Sequence, residues 1–558
     1  MKEKLGLLVQ HALKSGVAAG HLRPTEIPLS IALETPRIAA HGDYSTNVAM
    51  TMAATQKRAP REVARIIIDH IDDSGHLLSK TEVAGPGFIN FFITQEKWYE
   101  VLKTIHDEYE AYGACQIGLG KRVQIEFVSA NPTGPLHVGH GRCAAVGDTL
   151  AAILEAAGYQ VEKEYYVNDS GRQIHTLGRS VFLRCRQILG DAIEFPADFY
   201  QGDYIEDLAR LLVDREGAHL PDMDEEEAVG ICARFAAEEI LSGIRKDLEA
   251  FGVSFDRWFS EQALYDSEAV RSVIQDLKSR DIIYEHEGAL WFRTQDFGDE
   301  KDRVVVRANG QTTYFASDIA YHKDKFERKF DRIIDIWGAD HHGYIPRVSA
   351  SIQAMGYDEK QCRIILVQLV NLLRGGSPVA MSTRAGEFVT LRQVVDEVGR
   401  DAARFLFLLR HYDSPLDFDL ELAKKESNEN PVYYVQYVHA RISNIIKKAE
   451  ERGYKHMCWH DDFTDLIKLP EEIQLIKLMA RYPEVVAQSA LLMEPHRIPF
   501  YLKELAAAFH AYYHDRNKHM VVSDDAGLSA ARLFLVSAIR IIISTGLTLM
   551  GVSAPETM

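Results

Sequence analysis

One stretch constrains this 558-residue chain more than any other: Val123 to Leu154, VQIEFVSANPTGPLHVGHGRCAAVGDTLAAIL. It opens with apolar residues alternating at Val123, Ile125 and Phe127, then breaks at Asn131-Pro132-Thr133-Gly134-Pro135. Beyond the break, Val146, Leu150, Ile153 and Leu154 recur at helical spacing, so the segment reads as strand, tight turn, helix. The turn brings His137 and His140 to the helix start, three residues apart and on one face. Free backbone N–H groups and the positive dipole end there favour an anion. Gly139 leaves the backbone bare between them, so a flat ring could lie against it. Two histidines at a helix start are more often surface or capping residues than ligands, and the pair alone does not decide.

The surroundings add a resemblance. SANPTGPLHVGHGR resembles the HIGH signature of class I aminoacyl-tRNA synthetases, and its lead-in EFVSANPTGPLH is similar to the version in arginyl-tRNA synthetases of the bacterial type. That resemblance implies an ATP-dependent ligase joining L-arginine to its tRNA through an arginyl-adenylate. ATP would come with Mg2+ borne by the substrate, with no tightly bound metal or prosthetic group. Arginine and tRNA are the other implied partners, no membrane is implied, and a cytoplasmic monomer is expected. His137 and His140 would hold phosphates, and Gly139 would underlie adenine.

Length alone suggests about three or four domains. A 46% hydrophobic and 26% charged composition is that of a soluble globular protein. The net charge of -18 argues against a generally basic nucleic-acid coat, though not against a local basic face. No two of the six cysteines form a CxxC, so structural zinc and a disulfide framework are disfavoured against reduced thiols. The amino terminus is a short amphipathic helix without a signal peptide's apolar core. The apolar run Leu533 to Val552 is interrupted by Arg540, Ser537, Ser544 and Gly546 and reads as a buried core helix.

Residues 1 to about 110 have their own pattern. Helical stretches at the start and around Arg61 to Ile71 flank GDYSTNVAM and VAGPGFINFFIT, the latter a turn feeding a strand with Phe88, Asn90 and Phe92 on one face. This is a small α+β module whose aromatics mostly build its own core. Both segments also resemble the additional amino-terminal domain of arginyl-tRNA synthetases, which implies that Phe88 and Asn90 meet the tRNA elbow by stacking and edge hydrogen bonding. The glycine-rich stretch Tyr109 to Lys121 resembles a linker. It nearly spells a phosphate loop, but Leu119 stands where the lysine is needed and a strand follows.

From about 155 to 300 the resemblance thins. YQGDYI, Tyr200 to Ile205, is similar to a YxGxY segment of the family, and the acids at Asp222 to Glu227 read as a solvated helix start rather than a metal site. RIIDIWGADHHGYI then supplies an apolar strand, Ile333 to Trp337, ending in a glycine turn and polar residues, where doubly wound folds place ligands. Upstream, Tyr314 and Asp318 fall at i and i+4 of a helix, usually a structural hydrogen bond. The family resemblance instead gives Tyr314, Asp318, Glu126, Ser129, Asn131 and His341 to arginine, whose guanidinium needs carboxylates and planar partners. Asp340 is implied at ATP.

A third strand, Ile364 to Val370, leads to Met381-Ser382-Thr383-Arg384, which resembles the second class I signature, KMSKS. Met381, Ser382 and Arg384 are its implied ATP contacts. Ala380 and Thr383 occupy both lysine positions, and Gly134 stands where some family members carry a compensating lysine. Arg384 and Arg142 are therefore the candidates to stabilise leaving pyrophosphate. From about 422 the chain reads as wholly helical. NPVYYVQYVHARISNIIKKAEERGYK and AAFHAYYHDRNKH resemble the family's anticodon-binding domain, which implies Tyr437, Arg441, Lys447 and Lys448 as tRNA contacts. The ending GVSAPETM resembles the family's terminus, implying a complete chain.

The fold class expected is multidomain α/β: an N-terminal α+β domain at 1–110, a Rossmann-like parallel-sheet catalytic domain at 121–421 with insertions at about 155–300, and a C-terminal all-α helical domain at 422–558. Three rivals stand beside it. Cysteinyl-tRNA synthetase would need a zinc site that the cysteine spacing does not offer. A small-molecule nucleotidyltransferase would have no use for either end of the chain, and a non-catalytic tRNA-binding paralogue has only the altered MSTR loop in its favour.

Overall fold

The computed structural model describes residues 1–558 except 37, 217–219, 221–222, 380–388, 455–457 and 516–517. Two compact units emerge, Met1–Tyr112 with Asn444–Tyr482 and Ala508–Ile542, and Gly113–Ser443 with Pro483–Ala507 and Ile543–Met558.

In the first unit the antiparallel strands β1 (Tyr44–Thr46), β2 (Leu78–Ala84) and β3 (Phe88–Ile93) pair in the order β1-β3-β2. Alternation along β3 buries Ile89, Phe91 and Ile93 and leaves Phe88 and Phe92 half-buried. Helices Lys2–Ala18 and Pro60–Asp69 bury Leu5, Val9, Leu13, Val63 and Ile67. Two helices exceed the sequence reading: Val48–Gln56, stopped by Lys57 in left-handed conformation, and Gln95–Glu108. Ala526–Leu549, whose last turns belong to the second unit, is long and apolar enough to cross a membrane, but 72% of its apolar window is buried inside the protein.

The second unit is built on a five-stranded parallel sheet. Its strands are β4 (Arg122–Glu126), β5 (Gln160–Val167) and β6 (Arg257–Ser260), then, after the antiparallel sheet β7 (Ile283–His286), β8 (Ala289–Phe292) and β9 (Arg303–Val306), β10 (Arg332–Gly338) and β11 (Cys362–Val367). The order is β11-β10-β4-β5-β6, every neighbouring pair parallel. The chain runs outward from β4 through β5 to β6, then returns to the other side of β4. The carboxyl ends of β4 and β10 thus flank the topological switch point, where a doubly wound sheet opens a ligand crevice. Register aligns Asp335, Glu126 and Glu164 across β10, β4 and β5. Helix Tyr314–Glu327 answers that row of like charges: Lys325 donates to Glu126 and Asp335, and the Tyr321 hydroxyl donates to Glu164.

One expectation needs correction. Ile364 to Val370 is not one strand: β11 stops at Val367, and β12 (Val370–Arg374) starts a second sheet with β13 (Ser377–Pro378) and β14 (Leu416–Asp419). At the break the Gln368 N–H turns to the Tyr412 carbonyl at 2.8 Å, and Leu369 is exposed. The acidic run near residue 224 is a helix start, as read: Asp224 accepts from the N–H groups of Glu226 and Glu227 at the head of Glu225–Ala250. Beyond β14 the described residues form helices and connections without another strand.

Candidate active site

The turn after β4 carries backbone strain. Val128 and Ser129 have φ of 68° and 40°, costly for a β-branched residue in particular. Ser129 secures the turn, its hydroxyl donating to Glu126 Oε1 at 2.8 Å and accepting from the Tyr166 N–H at 3.1 Å. Asn131 Nδ2 donates to Gln173 Oε1 at 2.7 Å, and the Tyr204 hydroxyl, from the YQGDYI segment, donates to the Thr133 carbonyl at 2.7 Å.

His137 is the N-cap of helix Val138–Ala156. Its Nδ1 accepts from the Gly139 N–H at 3.1 Å, while its own N–H donates to His140 Nδ1 at 3.2 Å. The two rings stack, centroids 3.7 Å apart. Burial holds both below the usual histidine range, His140 at about 3, although the Asp340 carboxylate pulls His137 the other way. Neutral rings whose Nδ1 atoms accept carry their protons on Nε2, an assignment that follows from the hydrogen-bond network. The pair is therefore two N–H donors beside a helix start, without a fixed positive charge. Gly139 has a local role in this: a Cβ there would stand 3.0 Å from His137 Cε1, so its bareness admits the capping ring.

This turn is tied to the chain beyond residue 388. His137 pairs with Thr390 in an isolated antiparallel bridge, and the Leu391 N–H donates to the Leu136 carbonyl at 2.8 Å. Met381, Ser382 and Arg384 themselves lie outside the described residues. Arg142 is corrected as a pyrophosphate candidate. It is fully buried, donates to the carbonyls of Gln368 and His411 at 2.8 and 3.0 Å, and is held down to about 10 by burial.

The second half of the site is acidic. Helix Tyr314–Glu327 carries Tyr314 and Asp318 as the spacing predicts, Tyr314 47% exposed. Asp318 accepts from the Tyr344 hydroxyl at 2.5 Å rather than from Tyr314. Burial pushes its carboxyl up to about 6; His322 and the Tyr344 hydroxyl oppose the rise, while Glu261 and Glu126 add to it. Glu261 is 2% exposed, with Oε2 accepting from Ser170 Oγ and Oε1 from Ser317 Oγ, both at 2.6 Å. Tyr166 stands among Glu261, Asp318 and Glu126, which together with burial raise its hydroxyl. Among the described residues one buried cation reaches this group: Lys325 Nζ lies 2.5 Å from Glu126 Oε2 and 2.6 Å from Asp335 Oδ1. At the end of β10, Asp340 and His341 are exposed, 3.7 Å apart.

Glu126, Ser129, Asp318, Tyr314, His137, His140 and Asp340 are thus gathered at the strand tips. Lys325, Glu261 and Tyr344 escaped the sequence reading. Lys325 lies seven residues after Asp318, on the same helical face, a spacing that could have found it. Tyr344 closes the quoted DHHGY turn, whereas Glu261 sits in the region without a pattern. Among described residues, His322, Asp335 and Cys362 come close enough to hold a metal; Asp335 Oδ1 already accepts from Lys325 Nζ, while its Oδ2 faces His322 Nε2 at 3.2 Å and Cys362 Sγ at 3.8 Å.

The residues implied for tRNA fall in both units: Phe88, Asn90, Lys447 and Lys448 in the first, Tyr437 and Arg441 in the second. Phe88 is half-buried, and Asn90 is only 3% exposed, which leaves it little edge to offer a base. Tyr437 stacks on Tyr433 with centroids 5.9 Å apart, and the Arg441 guanidinium lies over the Tyr437 ring at 4.7 Å. Lys447 and Lys448 are exposed near the end of the same helix, Pro431–Glu451.

Comparison with known proteins agrees along the chain. Residues 4–93 match the arginyl tRNA synthetase N-terminal domain, residues 105–411 the catalytic domain of class I tRNA synthetases (R), and residues 435–558 the DALR anticodon binding domain. The chain is 59% identical to an arginine--tRNA ligase of Desulfosudis oleivorans and 54% identical to one of Syntrophotalea carbinolica, each covering 100% of both chains. Its fold matches Thermus thermophilus arginyl-tRNA synthetase with a TM-score of 0.77 at 23% identity, covering 100% of both. With strand tips, helix start and all three matched segments in agreement, the chain belongs to the arginyl-tRNA synthetase family.

Proposed function

We propose that the strand-tip site charges tRNA with arginine in two steps, and that its residues divide the work between a neutral phosphate cradle and an acidic side-chain pocket. Membership of the family carries the overall reaction, L-arginine + ATP + tRNA(Arg) giving arginyl-tRNA(Arg), AMP and diphosphate. In the first step a carboxylate oxygen of arginine attacks the α-phosphorus of ATP. A new P–O bond forms, and the α–β bridge breaks with its electron pair leaving on pyrophosphate. In the second, the terminal ribose hydroxyl of the tRNA attacks the adenylate carbonyl, and AMP leaves. No covalent enzyme intermediate is needed, so the protein supplies orientation and charge stabilisation.

The observation that carries this reading is the convergence of Glu126, Glu261 and Asp318 with Lys325 as one buried cation. With three carboxylates to a single ammonium, the pocket is short of positive charge, and a guanidinium brings more with a fork of donors. Asp318 and Tyr314 take the guanidinium, Ser129, Asn131 and Glu126 take the amino-acid end, and His341 closes the pocket. The Nε2–H groups of His137 and His140 donate to the phosphoryl oxygens as charge develops, Asp340, Met381 and Ser382 position the nucleotide, and Arg384 takes the leaving pyrophosphate. ATP enters with its own Mg2+ as substrate. Phe88, Tyr437, Arg441, Lys447 and Lys448 meet the tRNA through a division at 1–110, 121–421 and 422–558, in a cytoplasmic monomer. Asn90, only 3% exposed, is not counted among these contacts.

The test is amino-acid-dependent ATP–pyrophosphate exchange, with and without tRNA(Arg). Exchange specific to arginine and dependent on that tRNA supports the reading; exchange driven by another amino acid removes the substrate assignment. No exchange with any amino acid, despite tRNA binding, restores the non-catalytic alternative.

A further inference from the structure

Three side chains that the proposed reaction does not use meet in the second unit, one from each of three elements: His322 from helix Tyr314–Glu327, Asp335 from β10 and Cys362 from β11. Parallel register sets Cys362 opposite Ile333, and the two-residue period puts Asp335 on the same face of β10 as Ile333. The helix covers that face and brings His322 and Lys325 down to Asp335, three residues apart on one side. His322 is 3% exposed and Asp335 fully buried, whereas Cys362 is only half-buried, at the first position of the outermost strand, where a small ion can enter. One ligand atom from each lies within 4.8 Å of the others. Hydrogen bonding leaves this trio incomplete. His322 Nδ1 lies 2.8 Å from the Asp318 carbonyl, which can only accept, so Nδ1 carries the ring proton. The Nε2 of the neutral ring is then a bare lone pair, and it faces another acceptor, Asp335 Oδ2, at 3.2 Å. Either a proton or a metal ion must stand between them.

We propose that His322 Nε2, Asp335 Oδ2 and Cys362 Sγ form a structural site for a thiophilic divalent cation, Zn2+ above all, with the fourth position left to water. Tetrahedral zinc, with bonds of about 2.0–2.3 Å, keeps its ligand atoms about 3.3–3.5 Å apart. The separations from Asp335 Oδ2, 3.2 Å to His322 Nε2 and 3.8 Å to Cys362 Sγ, bracket that span. Charge decides in the same direction. Lys325 sits on the opposite oxygen, Oδ1, and also balances Glu126, so the three groups together keep one negative charge. Zn2+ displaces the thiol proton to water and binds the thiolate, and the net gain of one positive charge closes that deficit. The Nδ1–H bond to a backbone carbonyl is how metal-binding imidazoles are oriented. Thiolate and imidazole favour zinc over the Mg2+ that accompanies ATP. The ion pins the helix bearing Tyr314 and Asp318 to β10 and β11, whatever amino acid the pocket takes. Cysteine spacing could not show it, because His322 and Cys362 stand 13 and 27 residues from Asp335.

The test uses the full-length protein, treated with a chelator and then given Co2+ or Zn2+ alone. A single Co2+ per chain is expected, with thiolate-to-cobalt charge-transfer absorption and the visible bands of a tetrahedral ion, and Zn2+ should displace it, as the order of divalent affinities requires. Cys362→Ser should abolish the charge-transfer band. Like His322→Gln, it should also weaken Zn2+ by at least about 100-fold, the upper end of what losing an outer partner costs. Cys458→Ser removes an exposed thiol elsewhere and should leave the band intact. Zn2+ should raise the Tm of the wild type and leave that of Cys362→Ser unchanged. Should a variant fail to fold, wild-type crystals soaked in Zn2+ decide the matter: an anomalous peak among the three side chains supports the site. No cobalt band, a band that survives Cys362→Ser or disappears in Cys458→Ser, or anomalous density only elsewhere would each overturn the proposal and leave a proton between His322 and Asp335.

Discussion

Lys325 Nζ bridges Glu126 Oε2 at 2.5 Å and Asp335 Oδ1 at 2.6 Å, joining two neighbouring parallel strands from the helix above them. The lysine is fully buried, and the carboxylates beside it hold its ammonium well above the usual range even though burial alone would lower it. Lys325→Met leaves two buried carboxylates facing each other at matched register. It should destabilise the fold by about 3–5 kcal/mol, as breaking a buried pair does. Denaturant unfolding checks this, and a variant within 1 kcal/mol of wild type, on the scale of ordinary surface changes, would refute the lysine's role.

The proposed contact of Asp318 with arginine would link pH to binding. Its folded carboxyl, at about 6, lies above the unfolded value of about 3.9, so its contribution to stability is present at low pH and lost as pH rises through 6. Arginine favours the ionised form, so binding should release a proton near pH 6 and weaken about tenfold per pH unit below it. Calorimetry in buffers of different ionisation enthalpy reads both effects. Flat affinity from pH 5 to 7 would remove Asp318 from the contact.

His137 and His140 carry the opposite sign. Their folded pKa values lie below the unfolded value of about 6.5, so the stability they allow is complete above that pH and lost as pH falls below it, for His140 toward about 3. Being neutral donors, they should leave no inflection near pH 6.5 in the adenylation rate. Replacing either by alanine should slow adenylation about 10²- to 10³-fold, as losing one preorganised donor does. Arginine affinity should stay within about twofold of wild type; equal losses in rate and affinity would contradict the phosphate role.

Carboxylate replacements separate the acidic pocket from the cradle. Asp318→Asn and Glu261→Gln keep size while removing charge, and each should raise the KM for arginine about 10- to 100-fold, the range of one charge-assisted hydrogen bond. The KM for ATP should be unaffected. A matching rise for ATP would show that the change had spread to the whole crevice.

Gly139→Ala tests the cap. The new Cβ meets the His137 ring at 3.0 Å, tighter than ordinary contact, so the ring must shift and its bond from the Gly139 N–H weakens. Adenylation should slow about tenfold or more while the unfolding midpoint barely moves. An unchanged rate would assign the bare glycine face to something other than the cap.

The sequence by itself determined the local frame. The two-residue period of Val123, Ile125 and Phe127, the turn residues and the helical spacing behind His140 specify strand, turn and helix through backbone and burial preferences that act over a few residues. The i, i+4 spacing likewise placed Tyr314 and Asp318 on one helix face. Tertiary structure alone decided the partners. Asp318 bonds Tyr344, 26 residues away, instead of Tyr314, and Arg142, a charged residue beside the signature, turns inward to two carbonyls contributed by distant chain. Glu126 and Lys325 are 199 residues apart, and parallel pairing of β10 with β4 is what brings them into reach. Strand order and register follow from packing distant apolar strands side by side; that step fixes which buried charges meet, and no short-range pattern encodes it.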